Sequence, residues 1–302
     1  MDKLRALEAF VRVVDTGGIT RAADMLNVPK ATVSTLIQDL EAQLGIRLLH
    51  RTTRKVTVTA DGAAYYERCV RILEDLREAD EAVSSRDGAP EGRLKVDMTT
   101  SMASLLMRDA LPEFLARYPG ITLELGCTDR PINMISEGVD CVIRVGQVTD
   151  PLLVARRIGS MHFVTCAAPA YLARHGAPEH PRDLFRHRWV NYFANGRPVS
   201  WDFRKGDELY QLDLTGGLAV NDSNVYRDAC LAGVGIGQLP GYAFMVHEPK
   251  GELVQVLHDW RTEALPVHVL YPSNRHLSTR VQAFVEWAAE VFDRTPGLQR
   301  EA

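Results

Sequence analysis

Leu4, Leu7, Phe10, Val11 and Val14 recur at helical spacing, so residues 4–14 are predicted to form an amphipathic helix that Gly17-Gly18 ends. A second, short helix is expected over 20–26, with Thr20 as its N-cap and Ala22, Ala23 and Leu26 facing inward. Asn27-Val28-Pro29 reads as a tight turn. Pro29 suits a helix entry, where its missing N–H would be unbonded anyway. The third helix is expected over 30–44. Val33, Ile37, Leu40 and Leu44 bury one face, and Lys30, Thr32, Ser34, Thr35 and Gln38 lie on the others. Gly45 ends it. Residues 47–51 and 55–59 read as two short strands around Thr52-Thr53-Arg54, which makes a β-hairpin. From Asp61 the pattern is helical to about Ser85, and Tyr65, Cys69, Ile72, Leu76, Ala79 and Val83 form a heptad seam among charged faces. Such a seam suits a dimer, although the same stripe could pack on its own domain. The stretch 85–92 is polar with Gly and Pro and reads as a hinge.

Beyond the hinge the period changes. Residues 93–98 alternate as a strand, and a helix is expected over 102–118, stopped by Pro119-Gly120. A strand (121–126), a helix (132–137) and a strand (141–145) follow, an alternation that predicts a parallel sheet covered by helices. Further strands are expected near Val154, Phe163, Val190, Leu212, Leu218, Ile236, Val254 and over 267–271, and Ser278 is placed to cap a last helix. No period of about 20–50 residues repeats, which excludes a solenoid.

A length of 302 residues suits two or three domains, and 46% hydrophobic with 25% charged residues is ordinary globular composition. No window approaches the roughly 18 apolar residues of a membrane span, and the first residues lack the apolar run of a signal peptide, so a cytoplasmic location is expected. The five cysteines (Cys69, Cys127, Cys141, Cys166, Cys230) are scattered and are expected to be reduced and structural. A net charge of −4 does not by itself indicate a nucleic-acid binder, but residues 46–60 carry Arg47, His50, Arg51, Arg54 and Lys55 with no acid.

That distribution changes the reading of the first sixty residues. A helix, a three-residue turn and a helix with a polar outer face can place a recognition helix in the major groove, although a generic helical bundle shows the same period. The basic hairpin directly after it favours a wing that touches phosphates or the minor groove, over a merely solvated charge cluster. Enzyme signatures are weak. Gly233 to Gly237 imitates a nucleotide-binding run, but a helix precedes it and a strand follows, the reverse of the phosphate-binding order. The histidines show no metal spacing, and no G-x-S-x-G elbow occurs. A ligand-binding module without a DNA role leaves the first sixty residues unexplained. In the C-terminal part, Thr99-Thr100-Ser101-Met102 and Asn221-Asp222-Ser223-Asn224 each open a helix. Their hydroxyl and N–H groups could hold an anion, or simply cap.

The run from Phe10 to Gly62 resembles the DNA-binding region of the bacterial LysR-type transcriptional regulators, at Ala22-Ala23, Leu26, Val33-Ser34, Ile37, Leu40-Glu41, Leu44-Gly45, Leu48-Leu49, Arg51-Thr52, Val58-Thr59 and Gly62. The resemblance implies DNA contacts from Lys30, Thr32, Ser34, Thr35 and Gln38 and from Arg51 and Arg54 in the wing. Many members carry a basic residue at Thr35 and another near Asp39, so this chain departs there. The stretches 129–146, 231–243 and 269–292 resemble, more loosely, the family's effector-binding domain, which has the two-lobe architecture of a periplasmic binding protein. The expected fold is therefore α/β: a winged helix-turn-helix (1–60), a linker helix and hinge (61–92) that pairs two chains, and an effector domain (93–302). Lobe one would take about 93–162 with 267–292, and lobe two about 163–266. Thr100, Ser101 and Met102, then Gly146, Phe203 and Ser223, are the expected effector residues. Arg144 is a candidate carboxylate clamp or a partner within the fold, and the loop 193–203 with Trp201 is a candidate cover. The expected function is a ligand-responsive regulator, not an enzyme, which binds a dyad promoter site as a dimer or tetramer. Its partners would be promoter DNA, a small anionic or aromatic effector, further copies of itself and RNA polymerase, with no metal and no cofactor.

Overall fold

The computed structural model describes residues 2–51, 56–84, 89–148, 150–194, 196–213, 217–273 and 277–299. It divides into two compact units, 1–88 and 89–302.

The N-terminal unit opens with α1 (Lys3–Thr16), α2 (Ile19–Leu26) and α3 (Lys30–Leu44). Gly17 in the left-handed region ends α1, and the chain re-enters helix at once, so Gly18 is the N-cap of α2 and Thr20 falls inside its first turn rather than capping it. Asn27, also left-handed at φ 52°, turns the chain into Pro29, which caps α3. The wing pairs β1 (Leu49–Arg51) with β2 (Val56–Val58), antiparallel, Leu49 opposite Val58. The long α4 (Ala60–Ser84) follows. One core joins all of these: Leu7, Phe10, Val13, Val33, Ile37, Leu40, Leu48 and Cys69 are nearly or fully buried.

In the second unit the chain forms β3 (Gly92–Met98), a π-helical turn (Met102–Met107), α5 (Leu111–Arg117), β4 (Ile121–Cys127), α6 (Met134–Glu137), β5 (Cys141–Val145) and β6 (Leu153–Met161). The single helix expected over 102–118 is broken. Pro112 lacks the N–H and crowds the carbonyl four residues back, so it sits in the first turn of a new helix. Lobe two follows with β7 (Phe163–Ala167), α7 (Pro169–His175), β8 (Val190–Ala194), β9 (Arg197–Pro198), β10 (Trp201–Lys205), β11 (Glu208–Leu212), β12 (Leu218–Val220), α8 (Ser223–Leu231), β13 (Gly237–Pro240), α9 (Gly241–His247) and β14 (Val254–Gln255). The chain then returns through β15 (Leu265–Pro272) to α10 (Thr279–Arg294), capped by Ser278.

Lobe one is a five-stranded sheet in the order β4-β3-β5-β15-β6. Strands β4, β3 and β5 pair parallel, and β15 runs antiparallel between β5 and β6. Helix α10 covers it with Phe284, Trp287 and Phe292, and Phe114 sits 4.8 Å from Trp287. Lobe two is built of smaller pieces (β13-β7-β14, β12-β8-β9 and the β10-β11 hairpin) and is mostly antiparallel. The two passages between the lobes run side by side. Phe163 N–H donates to the Thr262 hydroxyl at 2.9 Å, that hydroxyl donates to the Phe163 carbonyl at 2.9 Å, and Leu265 pairs with Met161.

Candidate functional site

On α3 the buried side is Val33, Ile37 and Leu40; Lys30, Thr32, Thr35 and Gln38 are exposed and Ser34 is half-buried. The hydroxyl of Thr35 donates to the Ala31 carbonyl at 3.0 Å, so its proton is used within the helix. Arg54 lies outside the described residues, and Arg51 is placed by its backbone in β1. The wing is fastened to α3 by an acid that sequence reasoning noted only as a family match. Glu41 is 4% exposed, and its carboxylate accepts the N–H of Leu48 at 2.8 Å, that of Leu49 at 3.1 Å and the guanidinium of Arg47 at 3.1 Å. Arg47 therefore spends part of its charge inside the unit. At the other end, the Gly62 N–H donates to the Thr59 hydroxyl at 2.8 Å, and a Cβ on Gly62 would stand 2.1 Å from the Leu48 carbonyl oxygen. Only glycine lets α4 start this close to the wing.

The expected dimer stripe on α4 divides. Tyr65 packs with its ring 5.9 Å from Phe10, and Cys69 is fully buried in the same core. Those two residues serve their own domain, the alternative the stripe left open. Burial pushes the Cys69 thiol up to about 11. Ile72 and Leu76 are 47% and 40% exposed on the next turns, and the side chains of Ala79 and Val83 lie outside the described residues. All five cysteines are free, and burial raises the pKa of each, most strongly at Cys141 and Cys166, so none is poised as a thiolate.

Between the lobes of the second unit lies a cavity of about 370 Å³. The ends of the three parallel strands supply one wall: Ser101 and Met102 after β3, Asp129 after β4, and Arg144 and Val145 at the end of β5. Crevices at the carboxyl ends of parallel strands are where such sheets hold ligands. Lobe two supplies Tyr192, Trp201, Ser223 and Tyr242.

The residues at the two helix openings are bonded to each other. Thr100 donates its N–H to Asp129 at 3.0 Å and its hydroxyl to Asp129 at 2.9 Å. Ser223 donates its N–H to the same carboxylate. The Ser101 N–H donates to the Ser223 hydroxyl at 3.0 Å, and the hydroxyls of Ser101 and Tyr242 are 2.6 Å apart. Asp222 caps α8, accepting the N–H groups of Asn224 and Val225, each at 2.9 Å. The donors expected to be free for an anion are thus satisfied within the protein. Burial raises the phenols of Tyr192, Tyr226 and Tyr242, which keeps them neutral.

Among the expected effector residues, Ser101, Met102 and Ser223 line the cavity. Thr100 turns to Asp129 instead. Phe203 is fully buried in the lobe-two core with Leu184, Ile236 and Trp260; it shares a face of β10 with Trp201, but of the two only Trp201 lines the cavity. Gly146 ends β5 at φ 103° with its N–H on the Pro266 carbonyl, and its neighbour Val145 forms the wall. Arg144 reaches the cavity but is bonded to the buried Asp97. Sequence reasoning missed Asp129, Tyr192 and Tyr242. Asp129 carried one legible signal, an acid just past the end of a parallel strand.

The glycine run is structural. Cβ atoms on Gly235 and Gly237 would stand 2.6 Å from the Arg188 carbonyl oxygen and 2.4 Å from the Cys230 sulfur, so it is a tight turn between α8 and β13. Among the described residues no group of three or more His, Cys, Asp or Glu is placed to hold a metal, and no helix is long and apolar enough to cross a membrane.

Residues 4–63 match the family model of bacterial regulatory helix-turn-helix proteins of the lysR family, and residues 87–293 match the LysR substrate binding domain. The chain belongs to the LysR-type transcriptional regulators, which are DNA-binding proteins with an effector-binding domain and not enzymes. It is 41% identical to an HTH-type transcriptional repressor of Pseudomonas aeruginosa over 99% of this chain and 95% of that protein. It is 30% identical to the HTH-type transcriptional activator AaeR of Escherichia coli over 100% and 97%. Among solved structures, CrgA from Neisseria meningitidis aligns at TM-score 0.62 and 30% identity, covering 95% of this chain and 97% of that one. The Vibrio cholerae virulence activator AphB aligns at TM-score 0.59 and 29% identity, covering 95% and 98%.

Proposed function

We propose that this regulator acts in the cytoplasm, where it binds a dyad promoter site as a homodimer or homotetramer and, through RNA polymerase, changes transcription when a small organic effector occupies the cleft between the lobes. The observation that carries the reading is the presence, in one chain, of an exposed polar face on α3 beside a wing and a cavity of about 370 Å³ between two lobes. The lining favours an effector with an apolar or aromatic body, since Met102, Met161, Phe163, Trp201 and Leu265 all face it. Ser101, Ser223 and Tyr242 tie one lobe to the other, so a ligand that exchanges hydrogen bonds with them shifts the lobes and the pose of the paired subunits. Lys30, Thr32, Ser34, Thr35 and Gln38 read bases or phosphates, and Arg51 and Arg54 hold the backbone. Exposed Ile72 and Leu76 support pairing through α4.

Footprinting on the regulator's promoter tests this. Protection is expected to be symmetric and salt-sensitive, and Arg51→Ala is expected to weaken binding on all sequences and to lower the salt slope by about one. Absence of salt-sensitive binding overturns the reading. Leu76→Asp is expected to yield monomers in light scattering, and an unchanged mass excludes the α4 seam.

A further inference from the structure

The charge around the cleft is one-sided. Its wall carries three carboxylates, Asp129, Asp202 and Glu263, and Arg144 is the one cationic side chain among the described lining residues. Arg144 is already committed, to the buried Asp97 and to the Ile143 carbonyl at 3.0 Å. Burial, and then the neighbouring charges of Glu263 and Asp213, raise the carboxyl of Asp202, and no uncommitted cation among the described lining residues relieves that wall.

Asp129 is fixed from below. The Thr128 N–H donates to the Met98 carbonyl at 2.9 Å, and the Thr128 hydroxyl donates to Asp97 at 3.1 Å. From that anchor its two oxygens take one backbone N–H from each lobe, Thr100 and Ser223, with the Thr100 hydroxyl. Two N–H donors and a hydroxyl converging on one point are what an effector carboxylate would need.

We infer that Asp129 is the specificity-determining residue of the cleft: its carboxylate stands where an anionic effector group would bind, so the cleft rejects carboxylates and admits a neutral or positively charged organic molecule with an apolar body. This rests on the reading of the cleft as the effector site. An incoming carboxylate would have to displace Asp129 from three donors, or lie beside it unpaired. A hydroxyl, amide or ammonium group can instead donate to the carboxylate oxygens already there.

The test uses the full chain and three probes that share one ring and differ in charge: benzoate, benzamide and benzylamine, followed by calorimetry and thermal shift. Wild type is expected to bind benzoate more weakly than both others. Asp129→Ala is expected to bind benzoate at least about tenfold more tightly than wild type, because a like charge has been removed and donors freed. Wild type that takes benzoate as well as benzylamine overturns the inference, and so does an Asp129→Ala protein with no gain. If Asp129→Ala does not fold, Asp129→Asn keeps an acceptor for the donors and removes the charge. It is expected to show a smaller gain, and no gain overturns the proposal. A third variant separates the two readings. Val199→Trp, at an exposed rim position of the cavity, is expected to abolish the benzoate gain in the double variant. A gain that survives it places the probe elsewhere, and the effector-cleft reading fails. A wild type whose benzoate binding is lost on Val199→Trp keeps that reading and sinks only the role of Asp129.

Discussion

The N-terminal unit and the effector unit each hold a carboxylate with backbone N–H donors, but they do so with opposite consequences. In the first, Glu41 on α3 accepts from Leu48 and Leu49, seven and eight residues away, and the bond fixes the wing to its helix. In the second, Asp129 accepts from Thr100 and Ser223, 29 and 94 residues away and in different lobes, and the bond occupies a ligand's place. The local arrangement makes a rigid head, and the long-range one makes a joint whose partners can be exchanged. The cores follow the same division. Phe10 belongs to a cluster drawn wholly from residues 6–73, whereas Phe284 packs on Phe114, 5.6 Å away but far off in sequence.

Breaking each core is the largest test of that contrast. Phe10→Ala and Phe284→Ala each remove a fully buried ring and are expected to cost about 3–5 kcal/mol. Hydrogen exchange should locate the loss in residues 3–73 for the first and in lobe one for the second. Exchange that rises across both units in either variant would show one cooperative body and end the comparison. Next comes Glu41→Ala, which strands the buried N–H groups of Leu48 and Leu49 at about 1–3 kcal/mol each. DNA affinity is expected to fall with stability, because the wing loses its anchor. Glu41→Gln keeps an acceptor and should recover most of both. A Gln variant as impaired as Ala would assign the effect to charge rather than to bonding.

The same division explains what could be read from sequence. The helix expected over 30–44 is α3 residue for residue, because its apolar positions repeat every three or four residues against neighbours close in the chain. Strand β5 was equally plain at 141–145. The single helix expected over 102–118 overlooks Pro112, which starts a new helix at Leu111. In the cleft, hydroxyls at helix openings drew attention to Ser101 and Ser223. What those groups bond to depends on Asp129 and Tyr242, which the fold brings to them from 94 and 141 residues away. The stretch 193–203 does border the cavity, but as strands rather than a loop, and the side chain of Phe203 is taken up by packing with Leu184 and Trp260. On α4 a heptad stripe could not tell Cys69, buried on α1, from the exposed Leu76 two turns later.

The smallest effect sharpens the comparison where its two acids differ in relief. Glu41 is surrounded by donors, whereas Asp202 is half-buried beside Glu263 and Asp213 and has its pKa raised by burial first and by those charges second. A carboxyl whose folded pKa lies above its unfolded one binds its proton more tightly in the native state. Its stabilising contribution is therefore complete below the unfolded pKa and is lost as pH rises through the folded one. Asp202→Asn removes that loss. It is expected to raise the melting temperature at pH 7 by an amount equivalent to less than about 1 kcal/mol, solvent screening keeping the gain small. The gain should shrink to nothing as wild type is acidified below the ordinary carboxylate range. Glu41→Gln measured over the same range should show no gain at pH 7. An Asp202→Asn protein less stable than wild type at neutral pH would mean that this carboxylate is held by donors as Glu41 is, and that the cleft wall carries no uncompensated charge.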